Sequence, residues 1–179
     1  MTKPPFKVLT VGNWLKPDPL INAMHGFSHL PVGFDPKHAE RWVNEILEVS
    51  IDERLPAEIQ EMFAVARGTA IYGLFFYPLF TVADEQMDRL AETAISLRCI
   101  AAKAPLSLRK MSAKINWLAK NGILLEKDRE MWDTKRELRN AASHSCGQKI
   151  MWPGPVGSLK ICAQDIEALF GLRSSRWAE

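Results

Sequence analysis

Cysteine is scarce in this sequence and does not fall in a scaffold pattern. Only Cys99, Cys146 and Cys162 occur, an odd and scattered set. That fits a reducing compartment better than a disulfide framework, and without a Cys-x-x-Cys pair a structural zinc site of the usual kind is not expected. Long apolar runs are missing too. The most apolar stretch, residues 70–80, is well short of the roughly 20 residues a membrane helix needs, so it reads as buried core. No charged-then-apolar leader opens the chain. The expected location is therefore the cytoplasm, with no membrane partner. There is no Gly-rich phosphate loop, no internal repeat and no low-complexity segment, and no cofactor is expected. Charge is nearly balanced at a net +2. Nucleic-acid binding can then be argued only from how charges are arranged, not from their sum.

What is present is an ordinary globular composition, 47% hydrophobic and 25% charged over 179 residues. This is enough chain for one domain with a real core. Pro4, Pro5, Gly12, Pro17, Pro19, Gly26, Pro31 and Gly33 exclude a long helix from residues 1–34. The expectation there is an extended, irregular arm that packs through Trp14, Leu20, Ile21 and Phe27. Asp35-Pro36 then signals a helix start, with Asp as the cap and Pro at the first helical position. Trp42, Val43, Ile46, Leu47 and Val49 supply its apolar stripe. Pro56 begins a second helix with Ile59, Met62, Phe63 and Val65. A third apolar run meets Pro78, which should end or kink it.

Thr81 and Asp84 have the spacing of a capping box, predicting a long helix from there to about Lys103. Met87, Leu90, Ala91, Ala94, Ile95, Leu97 and Ala101 recur along it at helical spacing. Glu85, Asp88, Arg89 and Glu92 give it a charged face. A further helix is predicted over 107–120, with Leu108, Met111, Ile115 and Leu118 on one face and Asn121-Gly122 as its stop. Another covers about 127–143. A loop through Gly147, Pro153, Gly154, Pro155 and Gly157 follows, then a short helix over 163–169. The fold class is all-α: a compact helical bundle with an irregular Pro/Gly-rich arm.

The segment that carries chemistry is Arg139-Asn140-Ala141-Ala142-Ser143-His144, at the end of a predicted helix that follows a helical hairpin. In these residues the chain resembles the HEPN superfamily, matching its R-x(4–6)-H motif with a polar residue after the arginine. The resemblance spans residues 70–144: an apolar first helix, a long charged helix holding Glu85, Arg89 and Glu92, a third helix, then the motif helix. It makes residues 70–145 the motif-bearing core of one HEPN-like domain, and leaves out the arm and residues 147–179. The resemblance implies a metal-independent endoribonuclease acting as a homodimer. Members of the superfamily often serve as toxins or anti-phage effectors, with an antitoxin or a defence-complex protein as partner. Others lack activity and serve as binding or assembly modules.

The residue types suit that chemistry. RNA supplies its own nucleophile, the 2′-hydroxyl, so an enzyme need only move protons and stabilise charge. His144 can act as general base or acid near neutral pH. Arg139 can hold the phosphate as charge builds, and Asn140 can orient either by hydrogen bonding. On an ideal helix, residues five apart lie about 140° from each other. Arg139 and His144 of one chain therefore do not share a face unless the helix end deforms, whereas a two-fold pair of chains can face two copies of the segment into one cleft.

Plainer readings stand beside these. His144 can be a cation at a helix C-terminus. Arg139 can be an ion-pair partner of Glu137 or of a carboxylate of the long helix such as Glu92, which as a supporting residue would also fix the guanidinium. Arg98, Lys103, Arg109, Lys110, Lys114 and Lys120 make the third-helix region basic. Lys110 and Lys114, four apart on one face, form either a phosphate-tracking patch for RNA or a solvated face. Trp132 and Trp152 flank the motif, where they could stack on bases. His25 and His29 have helical metal-ligand spacing, with His38 beyond, but Gly26 and Pro31 argue against a helix there. The cysteines read as small buried hydrophobes; only Cys146, close to His144, is a candidate for reactivity.

Overall fold

The computed structural model describes residues 7–23, 36–143 and 154–176. Among the described residues there are seven helices and no strand. They are α1 (Pro19–Ala23), α2 (Pro36–Leu47), α3 (Ala57–Tyr72), α4 (Pro78–Ala101), α5 (Met111–Lys120), α6 (Glu126–Ser143) and α7 (Pro155–Leu169). The all-α expectation holds.

α4 is the axis. Its 24 residues make a rod of about 36 Å that packs against α3, α5, α6 and α7. Phe80, Ala83, Met87, Leu90, Ala91, Ala94, Ile95 and Cys99 recur every three or four residues and are buried. The alanines among them let neighbouring helices come close. The partners present their own stripes: Ile59, Phe63, Ala66 and Ala70 of α3, Ile115 and Leu118 of α5, Trp132 of α6, and Leu159, Cys162, Ala163, Ile166 and Leu169 of α7. α2 lies on α3 and α7 through Trp42 and Ile46, with Leu47 facing solvent. The Trp42 ring meets Phe80 of α4 edge-on at 5.8 Å. Asp35, the expected cap of α2, lies outside the described residues.

Several helix ends differ from expectation. The apolar run 70–80 is not one helix: α3 ends at Tyr72 and α4 starts at Pro78. Pro78 opens α4 because its missing N–H is one that a first-turn residue would leave unpaired anyway. Thr81 is therefore inside α4, not at its cap; its hydroxyl is buried without a partner among the described residues. α5 begins at Met111, not Ser107, after a turn at Pro105 in which the Leu108 N–H donates to the Pro105 carbonyl. α7 begins at Pro155, eight residues before the expected start, preceded by Gly154 at φ +98°. Gly154-Pro155 is a helix start, and Gly157 is tolerated within the helix.

The arm is more structured than expected. Asp18-Pro19 repeats the Asp-Pro signal and starts the five-residue α1. Asp18 is fully buried. Its Oδ1 accepts from the Leu20 N–H at 3.0 Å and its Oδ2 from the Tyr77 N–H at 2.9 Å, while its own N–H donates to the Leu74 carbonyl. The buried Lys7 ammonium donates to the carbonyls of Lys16 at 2.5 Å and Phe75 at 2.8 Å. Burial lowers its pKa, with Asp18 opposing the shift. Leu20 and Ile21 are buried as expected, but Trp14 is 58% exposed and Phe27 lies outside the described residues.

At the other end, residues 170–176 fold back over α6 and α7. Arg176 donates through Nε and Nη2 to the buried carboxylate of Asp165, at 2.9 and 3.0 Å, and Lys135 of α6 reaches the same group at 2.5 Å. Ser175 donates to Asp128.

The α3–α4 corner closes because Gly73 has no side chain. A Cβ there would lie 2.3 Å from the Phe80 ring. Gly68, within α3, has nothing within 4 Å of a built Cβ. Gly73→Ala is expected to destabilise the protein by about 1–3 kcal/mol through overpacking, and Gly68→Ala to stabilise it by about 0.5–1 kcal/mol through helix propensity. Urea unfolding of the two variants checks the pair; equal effects would contradict this packing.

Candidate active site on the α4–α6 face

Arg139 and Asn140 sit in the last two turns of α6, where the sequence placed them; His144 lies outside the described residues. α6 is positioned by its packing on α4 and α5 and by Trp132, which is 1% exposed and therefore core. That corrects the expectation that Trp132 stacks on bases: its ring has no open face, and the Lys135 ammonium stands 5.1 Å from its centre. Trp152, His25, His29 and Cys146 lie outside the described residues, as does the side chain of His38.

Arg139 Nη2 donates to Glu92 Oε2 at 2.7 Å, joining α6 to the middle of α4. Both side chains are partly open, at 37% and 41% exposure. A pair in that setting contributes only about 0.2–1 kcal/mol. Its effect is on direction: it sets where a planar five-donor guanidinium points. Asn140, the next residue, is exposed and projects about 100° further round the helix.

The same face of α4 holds a second cation. Ser96 is four residues beyond Glu92, so the two are stacked one turn of about 5.4 Å apart. The Ser96 hydroxyl donates to the Glu92 carbonyl at 2.9 Å and accepts from Lys114 Nζ of α5 at 2.7 Å. Consecutive turns of α4 thus hold Arg139 from one helix and Lys114 from another. Ser96 escaped the sequence reading, although its spacing from Glu92 was visible. Lys110 stands apart. It caps α5 in an extended conformation and is exposed, one turn before Lys114. The two lysines do not form one helical face, because the helix starts after Lys110.

Other candidates resolve simply. Cys99 and Cys162 are buried. Desolvation raises both thiols, Cys162 to about 12, so these two are unreactive core residues. Among the described residues no three His, Cys, Asp or Glu side chains come together as a metal site, and no helix is long and apolar enough to cross a membrane. Comparison of the chain with protein-family models, with curated proteins and with solved structures finds no match.

Because Arg139–Glu92 is a partly exposed pair, Arg139→Ala, Glu92→Gln and the double variant should each stay within about 1 kcal/mol of the parent in urea unfolding. A double-mutant cycle with a coupling above about 2 kcal/mol would mean that the pair supports the fold rather than the site.

Proposed function

We propose that the chain is a metal-independent endoribonuclease of HEPN type that works as a homodimer. The observation that carries this reading is the fixing of the motif arginine. Arg139 is tied to Glu92 at 2.7 Å, next to a second cation, Lys114, fixed by Ser96. Two cations held from consecutive turns of α4, both partly open, are what a phosphodiester needs as its charge grows.

In the proposed reaction His144 takes the proton of a ribose 2′-hydroxyl. The freed oxygen attacks the adjacent phosphorus, and the bond from phosphorus to the 5′-oxygen breaks. The leaving oxygen receives a proton from a second acid, assigned to the protonated His144 of the other chain. The products are a 2′,3′-cyclic phosphate and a 5′-hydroxyl. Arg139 stabilises the phosphorane, and Asn140 orients the phosphate or the imidazole. Two chains are invoked because an ideal helix continued to His144 would turn it about 140° away from Arg139. In the cell this reading implies a toxin or an anti-phage effector held by an antitoxin or a defence complex.

A second reading is a non-enzymatic interaction module that binds a partner protein or nucleic acid. The loop before α1 favours it: Val8, Leu9, Val11, Trp14 and Leu15 are all exposed, Val11 at 94%. That is a contiguous run of chain rather than the scattered apolar exposure normal for a surface.

The purified protein should cut RNA in EDTA and leave cyclic-phosphate ends. His144→Ala should abolish cutting, and Arg139→Ala should lower it by at least 100-fold (about 2.7 kcal/mol of transition-state stabilisation), with unfolding curves unchanged. Cleavage that needs a divalent metal, or that survives His144→Ala, refutes this mechanism; an absence of cleavage leaves the interaction module.

A further inference from the structure

Residues 93–125 contain Arg98, Lys103, Arg109, Lys110, Lys114 and Lys120 and no aspartate or glutamate. The near-neutral total of the chain therefore hides one strongly basic segment, with the remainder net acidic. The structure sorts these six cations. Arg98 donates to the Leu169 carbonyl at 3.0 Å, closing the end of α7. Lys114 is held by Ser96 beside Arg139. Lys103, Arg109, Lys110 and Lys120 are exposed and make no ion pair with the described residues.

Three of these four gather at the α4–α5 corner: Lys103 just past the end of α4, Arg109 and Lys110 just before α5. Lys103 has an unusual backbone. It adopts φ +58°, the only positive φ at a described residue other than glycine. Its N–H donates to the Ile100 carbonyl, and the Ala104 N–H donates to the Cys99 carbonyl at 2.9 Å. This is the left-handed helix ending at which glycine is preferred. A lysine there accepts backbone strain and supplies an ammonium at the corner.

From these observations we infer that the α4–α5 corner is the binding track for single-stranded RNA. The strand's phosphates leave Arg139, pass Lys114 and reach Lys110, Arg109 and Lys103. Arg139 and Lys114 are set by consecutive turns of α4, and Lys110 is the extended residue that precedes α5, four before Lys114. The result is a single file suited to one flexible strand. The contacts are to phosphate, so the track positions any sequence and reads none. The inference rests on the ribonuclease reading for its substrate class. Exposed Ile100 and Leu106 stand at the same corner, which makes an anionic lipid surface the competing occupant. RNA is favoured because the cations extend through Lys114 to Arg139, both held by α4.

The test is fluorescence anisotropy with a labelled, single-stranded 2′-O-methyl RNA, which lacks the attacking hydroxyl and reports binding alone. Lys110→Ala and Arg109→Ala should each weaken binding several-fold, and the double variant more than tenfold. Each lost phosphate contact should make the plot of log K against log salt shallower by about 0.7. Lys103→Gly should weaken binding while raising the Tm, since it removes the cation and relieves the strain. Lys120→Ala, at the far end of α5, should change nothing. The track is refuted if the strand does not bind at low salt, if Lys120→Ala weakens binding as much as Lys110→Ala, or if phosphatidylglycerol vesicles but not RNA bind through these residues. Binding with this pattern, together with failure to cut the all-ribose strand, would uphold the track and overturn the ribonuclease reading.

Discussion

The structure depends on one constraint: a single helix, α4, has to be the neighbour of four others. Helices approach closely only where side chains are small, and α4 meets the demand with Ala83, Ala91 and Ala94 set among larger residues. The same requirement produces Gly73, where the Phe80 ring occupies the space of a side chain. Packing around α4 fixes α5 and α6 in register with each other, although they lie far from Glu92 in sequence. Two polar positions one turn apart on this rod, Glu92 and Ser96, then gather cations from two different helices.

The charged groups divide by burial, and the division follows energetics. Asp165 is 4% exposed and receives Lys135 and both nitrogens of an Arg176 fork. A carboxylate so far from water is tolerated only when its lone pairs are filled, and removing one partner of such a group costs about 3–5 kcal/mol. Asp18 meets the same requirement with backbone N–H donors. These two groups fasten the first and last described segments to the bundle. Glu92–Arg139 lies in water's reach and contributes little to stability. The cost to the fold of losing this contact is therefore expected to be small.

Periodicity made most of this architecture legible in the sequence. The stripes of α3, α4 and α5 were visible because 3.6-residue spacing is a local property. Helix ends were less so, because one signal has two meanings. Pro78 and Pro155 were read as breakers and are first-turn residues; Asp18-Pro19 was passed over although the same pair was recognised at Asp35-Pro36. Thr81 looked like a cap because its spacing to Asp84 fits, but a capping hydroxyl needs a helix that begins after it. Trp132 was misjudged for another reason. Lying near the motif in sequence says nothing about which face of α6 it occupies, and it lies on the buried one. The Glu92–Arg139 contact was anticipated as one of several partners, whereas the Ser96–Lys114 contact required the three-dimensional crossing of α4 and α5.

Under the ribonuclease reading, the weakness of the Glu92–Arg139 pair becomes a functional requirement. A guanidinium buried against a carboxylate would have to break a strong contact to meet phosphate, and that loss would enter the barrier. A guanidinium left free in water would give up side-chain entropy on binding, about 2 kcal/mol for a residue of its length. A partly exposed pair avoids both penalties. It orders the arginine in advance through a short hydrogen bond, yet the contact is worth so little in water that the phosphate, whose charge grows toward the transition state, can share or displace it. The glutamate then limits how long the guanidinium holds an anion, which favours release of the cleaved strand. Lys114 is tuned differently: a neutral hydroxyl positions it, so its charge faces the phosphate without a competing anion. One cation is held by an acid and one by a hydroxyl, with the geometry of both set by a single turn of α4.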